Sequence, residues 1–309
     1  MKKFLIILLI ISYSCDTTQY NLDKIEFDKK EYSEAFQLID YWLEAQKDYE
    51  KLPGLTAIVT DKNETKWVRS YGSSNGVEPM NIENTFSICS ISKLFTAVAI
   101  MQLVEDGKIN LDDPIQKVLP WFDIYSAFDD APDLTIKSIL SHSSGLPRES
   151  NHPYWSGPDF PFPSKESVVN ELKNQEMLYP PSKYYQYSNL GLSLLGFIVE
   201  EITQSSFDDY VNQNILIPLS MTDTKTYMST DDYGKNLALG YSSLNRDVVR
   251  EKVNFFNADG IAAAAGFTSN VLDIAKFARW QMNLLDSIEK NILLPETLRS
   301  MHEVQWDDE

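Results

Sequence analysis

Phe86-Ser87-Ile88-Cys89-Ser90-Ile91-Ser92-Lys93-Leu94-Phe95 is the stretch from which the rest of this chain is read. A serine stands three residues before a lysine, at the mouth of an apolar run from Ile91 to Val104. Only Ser92, Lys93, Thr96 and Gln102 interrupt that run, too few polar positions for a surface helix, so the pattern predicts a buried one. Gly107 follows as a stop signal. Residues at i and i+3 are neighbours on a helix face. The Lys93 amine would therefore reach the Ser90 hydroxyl, which is the minimum for an activated nucleophile. Apolar surroundings disfavour an ammonium and make a neutral amine base more accessible.

The same spacing occurs in Ser287-Ile288-Glu289-Lys290, where nothing nearby suggests chemistry, so the rest of the chain has to decide. At 309 residues it is long enough for a large core, in one domain or two lobes. Hydrophobic residues make up 43% of it, which argues against disorder. A formal charge of −18 repels phosphate backbones and speaks against a nucleic-acid partner. The three histidines and two cysteines form no metal-ligand spacing, and no glycine-rich phosphate loop occurs. We therefore expect neither a metal nor another cofactor.

Residues 1–15 read as an address: Lys2 and Lys3, eight apolar residues from Phe4 to Ile11, then Ser12-Tyr13-Ser14-Cys15. This pattern looks like a lipoprotein signal, with Cys15 as the lipid attachment point; an ordinary cleaved leader is the alternative. Either implies export, and the first implies a membrane-anchored protein. Residues 16–32 read as a tether. Ser33 opens a helical pattern with Phe36, Ile39, Trp42 and Leu43 on one stripe. Leu55–Thr60 and Thr65–Tyr71 read as a hairpin, so the order is helix, strand, strand, buried helix. Cys89 reads as a small buried thiol.

From Asp112 onward punctuation is heavy and the regular segments look helical. Thr135–Ser141 reads as a short helix, ending in His142-Ser143-Ser144-Gly145-Leu146-Pro147. A proline-rich loop with Tyr154, Trp155, Phe160 and Phe162 follows, as either a binding lid or a packed Ω-loop. Ser164 caps a helix reaching Gln175. Tyr187-Ser188-Asn189 opens another, to about Thr203, and places a phenol and a carboxamide two residues apart. That spacing is common; Tyr210-Val211-Asn212 repeats it. Ala262 to Gly266 is a small-residue segment where backbones could approach closely. Asn270, with Asp273 at N3, predicts a variant capping box on a helix to about Leu285.

Together these segments resemble the serine β-lactamase-related hydrolases of the class C β-lactamase / D-alanyl-D-alanine carboxypeptidase group. The matching motifs are S-x-x-K at Ser90–Lys93 and Y-x-N at Tyr187–Asn189. Leu140, His142 and Ser144-Gly145-Leu146-Pro147 match the L-x-H-x-S-G-L-P turn. Pro218-Leu219-Ser220-Met221 stands where the group has Pro-Leu-Gly-Met, and Gly266 with Asp273 completes the set. The resemblance runs from about Leu55 to Glu309. It implies an α/β (α+β) fold, an antiparallel sheet flanked by helices plus a mostly helical lobe. Residues 33–111 and 240–309 would form the first lobe and 112–239 the second. The group's third motif, K-T-G or H-x-G, is not found after Gly266. The resemblance therefore implies a C-terminally truncated member lacking sheet strands; a short, degenerate relative is the alternative.

The resemblance also assigns roles. Ser90 would attack an amide or ester carbonyl to form an acyl-enzyme, on a β-lactam, a D-alanyl peptide or an ester. Lys93 or Tyr187 would take its proton. Asn189 would bond a substrate amide, and the Ser90 N–H would donate to the oxyanion. His142 would be structural. The alternative is an exported non-catalytic or penicillin-binding sensor lipoprotein on the same scaffold.

Overall fold

The computed structural model describes residues 7–11, 33–157 and 159–306; Cys15 and the tether lie outside them. The backbone of Ile7–Ile11 (β1), part of the run read as a leader, lies antiparallel along Gly54–Thr60 (β2). β2 in turn pairs with Thr65–Gly72 (β3), giving the sheet order β1-β2-β3. The turn between β2 and β3 is fixed by Asp61, whose carboxylate accepts from the backbone N–H groups of Asn63 and Glu64. Ser33–Tyr49 (α1) covers one face of this sheet through Leu43, which is buried, with Phe36 and Ile39 packed beside it. Trp42 departs from the expected stripe. It is 54% exposed, because the packed face turns on Leu43 and Trp42 points away from it.

Two residues, Phe86–Ser87 (β4), pair with Thr268–Ser269 (β5) and tie the start of the key stretch to the far end of the chain. A 3₁₀ turn at Cys89–Ile91 then leads into Ser92–Glu105 (α2). α2 is buried on nearly every side, as the unbroken apolar run requires: Phe95, Val98, Ala99, Ile100, Met101 and Leu103 all lie in the core. The buried polar side chains of its first turns are partnered. Ser92 accepts from the Phe267 amide, and the Thr96 hydroxyl donates to the Ala263 carbonyl at 2.6 Å.

Further helices follow, all short but the fourth: Ile115–Val118 (α3), Ile136–Leu140 (α4), Lys165–Leu172 (α5), Asn189–Thr203 (α6) and Phe207–Val211 (α7). α4 begins with a reciprocal capping box between Thr135 and Ser138. Ser164 caps α5, which ends at Leu172, short of the expected Gln175. The proline-rich loop before α5 is packed: Tyr154 is fully buried with its ring tilted against those of Trp155 and Phe162, and Phe162 stacks with Phe256. Ala262–Ala265 (α8) fits between α2 and α6. A Cβ placed on Gly196 of α6 would come within 2.5 Å of the Ala263 Cβ, so the two backbones meet through small residues. Ser220, in Pro218-Leu219-Ser220-Met221, adopts a φ of 57°, the left-handed region that glycine accepts most readily.

Val271–Leu285 (α9) carries Phe277 onto Phe95 of α2, with ring centroids 4.4 Å apart. Asn270 caps α9, but the expected box is only half formed: the Asp273 carboxylate accepts from the Asp223 amide and Thr224 hydroxyl and pairs with Lys276. Pro295–Met301 (α10) is the last helix among the described residues. Helices surrounding small antiparallel sheets are the mixed architecture that the resemblance implied.

Gly145 tests the turn that leads into the site. Its φ is 74°, and an added Cβ would lie 2.0 Å from the Tyr179 carbonyl oxygen. Gly145→Ala is expected to cost about 3 kcal/mol or more, combining backbone strain with overpacking. A thermal melt checks this; an unchanged midpoint would show that the turn relaxes.

Candidate active site

The site begins with a strained turn. Cys89 holds a φ of 43°, uncommon for a residue with a Cβ, and lifts Ser90 out at the mouth of α2. Both side chains are exposed. This corrects the buried reading of Cys89: its thiol faces outward, 3.5 Å from the Ser87 hydroxyl. One turn beyond Ser90, Lys93 brings its amine to three oxygens: Ser90 Oγ at 3.3 Å, Asn189 Oδ1 at 2.8 Å and the Ala264 carbonyl at 2.7 Å. Burial pushes its pKa down to about 8; Glu149 opposes that effect and Arg148 adds to it.

α6 delivers the second half. Ser188 is its N-cap, accepting from the Gly191 amide, so Tyr187 and Asn189 flank the cap. Tyr187 Oη donates to Ser90 Oγ at 2.8 Å. The Tyr187 ring lies 4.4 Å from the His142 ring, with Lys93 Nζ 4.8 Å and the Arg148 guanidinium 4.9 Å from its centroid. His142 is a wall of the site. Its Nδ1 accepts from the Ser188 amide, and burial lowers its pKa to about 4, which keeps the ring neutral.

The structure thus brings Ser90, Lys93, Tyr187 and Asn189 together. Asn189 differs from the expected picture of a side chain facing substrate. It is 2% exposed, its oxygen accepts from Lys93, and its nitrogen donates to both Glu149 oxygens at 2.8 and 3.0 Å. Both ends of the carboxamide are committed within the protein, behind the lysine. Sequence reading missed three groups: Glu149, Arg148 and the Ala264 carbonyl. Arg148 and Glu149 directly follow Pro147 in the turn motif, and that adjacency was the only available signal. The repeated spacing at Ser287 and Lys290 makes no such site. Lys290 pairs with Glu105 at 2.8 Å, while Ser287 donates to the Glu289 carbonyl.

Chemically, the arrangement offers a hydroxyl held between a phenol and a buried amine. A neutral amine has two N–H bonds and one free pair. The two shortest Lys93 contacts, Asn189 Oδ1 and the Ala264 carbonyl, are acceptors only, so they take both N–H bonds. The free pair is left for Ser90 Oγ.

Comparison with known proteins extends this picture. Residues 39–306 match the family model described as Beta-lactamase. The chain is 29% identical over 243 residues to Beta-lactamase-like protein 2 of Dictyostelium discoideum, covering 77% of this chain and 44% of that relative. It is 25% identical over 264 residues to the protein flp of Staphylococcus aureus strain N315, covering 81% and 50% respectively. The chain therefore spans about half the length of the curated relatives it matches. Among solved structures it is similar to the octameric penicillin-binding protein homologue from Pyrococcus abyssi. There the TM-score is 0.75 at 26% identity, over 88% of this chain and 62% of that one. The fold is also that of EstCE1, a hydrolase with promiscuous acyltransferase activity, with a TM-score of 0.71 at 21% identity, over 86% and 76%.

Proposed function

The chain belongs to the β-lactamase family, and from that premise we propose that it is a serine hydrolase working through an acyl-enzyme on Ser90. The observation that carries this reading is the Lys93 amine, whose other two contacts are acceptors and whose third neighbour is Ser90 Oγ. Lys93, neutral, takes the Ser90 proton as Oγ bonds to the carbonyl carbon of an amide or ester. The Ser90 amide, at the positive end of α2, donates to the oxyanion that forms. The Tyr187 hydroxyl holds Oγ and passes the proton from Lys93 to the departing amine or alcohol. Water then cleaves the Ser90 ester by the reverse sequence of proton transfers.

The substrate class proposed is a β-lactam, a D-alanyl peptide or a simple ester. Relatives described as a penicillin-binding protein homologue and an acyl-transferring hydrolase support that range. The test is to incubate the full-length protein with a fluorophosphonate and with a penicillin, then map the adduct by mass spectrometry. A single adduct on Ser90 is expected. An adduct on Ser287, or none, would overturn the assignment. A penicillin adduct that persists for hours would favour a sensor over a turnover enzyme.

Export with lipid attachment at Cys15 belongs to the same proposal, supported by the short apolar run that ends in Ser14-Cys15. No helix among the described residues is long and apolar enough to cross a membrane. Cys15→Ser is expected to move the protein from the membrane fraction to the soluble one. A wild-type protein that is already soluble and starts at another residue would refute the anchor.

A further inference from the structure

Glu149 lies in the loop after α4, in none of the sequence motifs. Its carboxylate is surrounded by donors. Both oxygens accept from Asn189 Nδ2, the Tyr154 hydroxyl donates to Oε2, and Arg148 Nε stands 3.2 Å from Oε1. Its own backbone is held as well, since Gln175 Nε2 donates to the Glu149 carbonyl at 3.0 Å. An ionised carboxylate only accepts, whereas a carboxamide has a donor end and an acceptor end. With Glu149 ionised, Asn189 has one satisfied orientation, nitrogen toward Glu149 and oxygen toward Lys93. The flipped amide would set oxygen against carboxylate. It would also point its N–H₂ at Lys93, where a neutral amine would spend its free pair accepting a hydrogen bond.

We propose that Glu149 is a positioning residue for the Ser90 reaction: its carboxylate fixes which end of Asn189 faces Lys93, and so keeps the amine's free pair directed at Ser90. The proposal rests on the reading of Ser90 as nucleophile and Lys93 as base. It also ties the aromatic loop to the chemistry, because Tyr154 donates to Oε2 of Glu149, an oxygen that Asn189 also reaches.

Charge supplies a readout that a purely structural role would not move. The charged and titratable groups facing Lys93 are Glu149, Arg148 and His142 from the loop after α4, Cys89 from the turn before α2, and Tyr187 from the head of α6. α8 contributes only a backbone carbonyl. Glu149 is the acidic side chain that favours the ammonium most. Removing its charge should let Lys93 lose its proton at lower pH.

The experiment follows the pH dependence of fluorophosphonate labelling of Ser90 in the full-length protein and two variants. Glu149→Gln removes the charge and leaves the amide orientation unforced. Its plateau rate is expected to fall by about tenfold to a hundredfold, a loss on the scale of a misplaced catalytic group. Its acid limb should shift to lower pH. The double variant Glu149→Gln/Asn189→Asp restores the pairing with its polarity reversed: residue 149 now donates and residue 189 accepts from both sides. Its plateau should recover relative to Glu149→Gln, while its acid limb shifts to higher pH, because the new carboxylate touches Lys93 directly. A plateau that falls in Glu149→Gln and recovers in the double variant, with limbs moving in opposite directions, supports the proposal. A plateau that does not fall or does not recover, or limbs that stay at the wild-type position or move together, overturn it. If Glu149→Gln does not fold, the plateau of the double variant is compared with that of Asn189→Asp alone, which sets two carboxylates against each other: recovery in the double variant supports the proposal and no recovery overturns it. A wild type that does not label at Ser90 removes the proposed function and this role with it. A labelled wild type with unmoved variants overturns the positioning role alone.

Discussion

Ser90→Ala is expected to reduce ester or lactam turnover by about 10⁴- to 10⁶-fold, the scale seen when a nucleophile acting within a catalytic unit is removed. The size follows from the shared geometry: Tyr187 Oη and Lys93 Nζ both converge on the one oxygen that is deleted. Neither group is left with a bond to form in the transition state. Stability should hardly change, because the side chain is exposed and fills no cavity. The measurement is hydrolysis of a chromogenic ester, with a thermal melt as control. A variant that keeps more than about one per cent of wild-type turnover, well above that expected loss, would place the chemistry on another residue.

Lys93→Met is the second large effect, with acylation expected to fall by about 10²- to 10⁴-fold, the contribution of a general base. Methionine retains much of the packing beside the Tyr187 ring but cannot accept a proton. In the proposed mechanism the base must be neutral to work, and burial lowers the Lys93 pKa to about 8. kcat/KM should therefore rise with pH through about 8 and level off above it. In Lys93→Met that limb should disappear, leaving a low rate that no longer follows the amine. If the variant retains both its rate and its acid limb, the base is a different group. Tyr187 is then the candidate, since its hydroxyl already bonds Ser90.

Much of this site was legible because its parts sit at helix starts. The apolar run after Ser90 exceeded what a surface helix needs, so burial of α2 followed from composition alone. Ser90 and Lys93 meet through i,i+3 geometry, a purely local rule. Tyr187 and Asn189 were found as a pair near a helix start, but their partners were not, because those contacts span 96 and 97 positions of sequence. No local pattern shows that Asn189 turns inward. That depends on Glu149, whose place depends on the packed loop carrying Tyr154. Cys89 was misjudged for a related reason: a small apolar thiol beside a buried helix suggests burial, but the left-handed turn that presents Ser90 carries Cys89 outward too. Trp42 shows the limit of stripe counting, since a wide apolar stripe does not say which of its members meets the sheet.

The Ala264 carbonyl that holds Lys93 gives the site an unusual kind of robustness to sequence drift. A main-chain oxygen is present whatever residue occupies position 264, so no single substitution there deletes the contact outright. What must be inherited is bulk rather than identity. Gly196 and Ala263 leave no room for an extra methyl between α6 and α8, and a larger side chain at either would push the oxygen away from the amine. Screens that replace each residue by alanine would therefore pass silently over position 264 and much of this wedge, which is already alanine. Substitution by larger side chains, such as Ala263→Leu, is the scan in which this part of the candidate active site would become genetically visible.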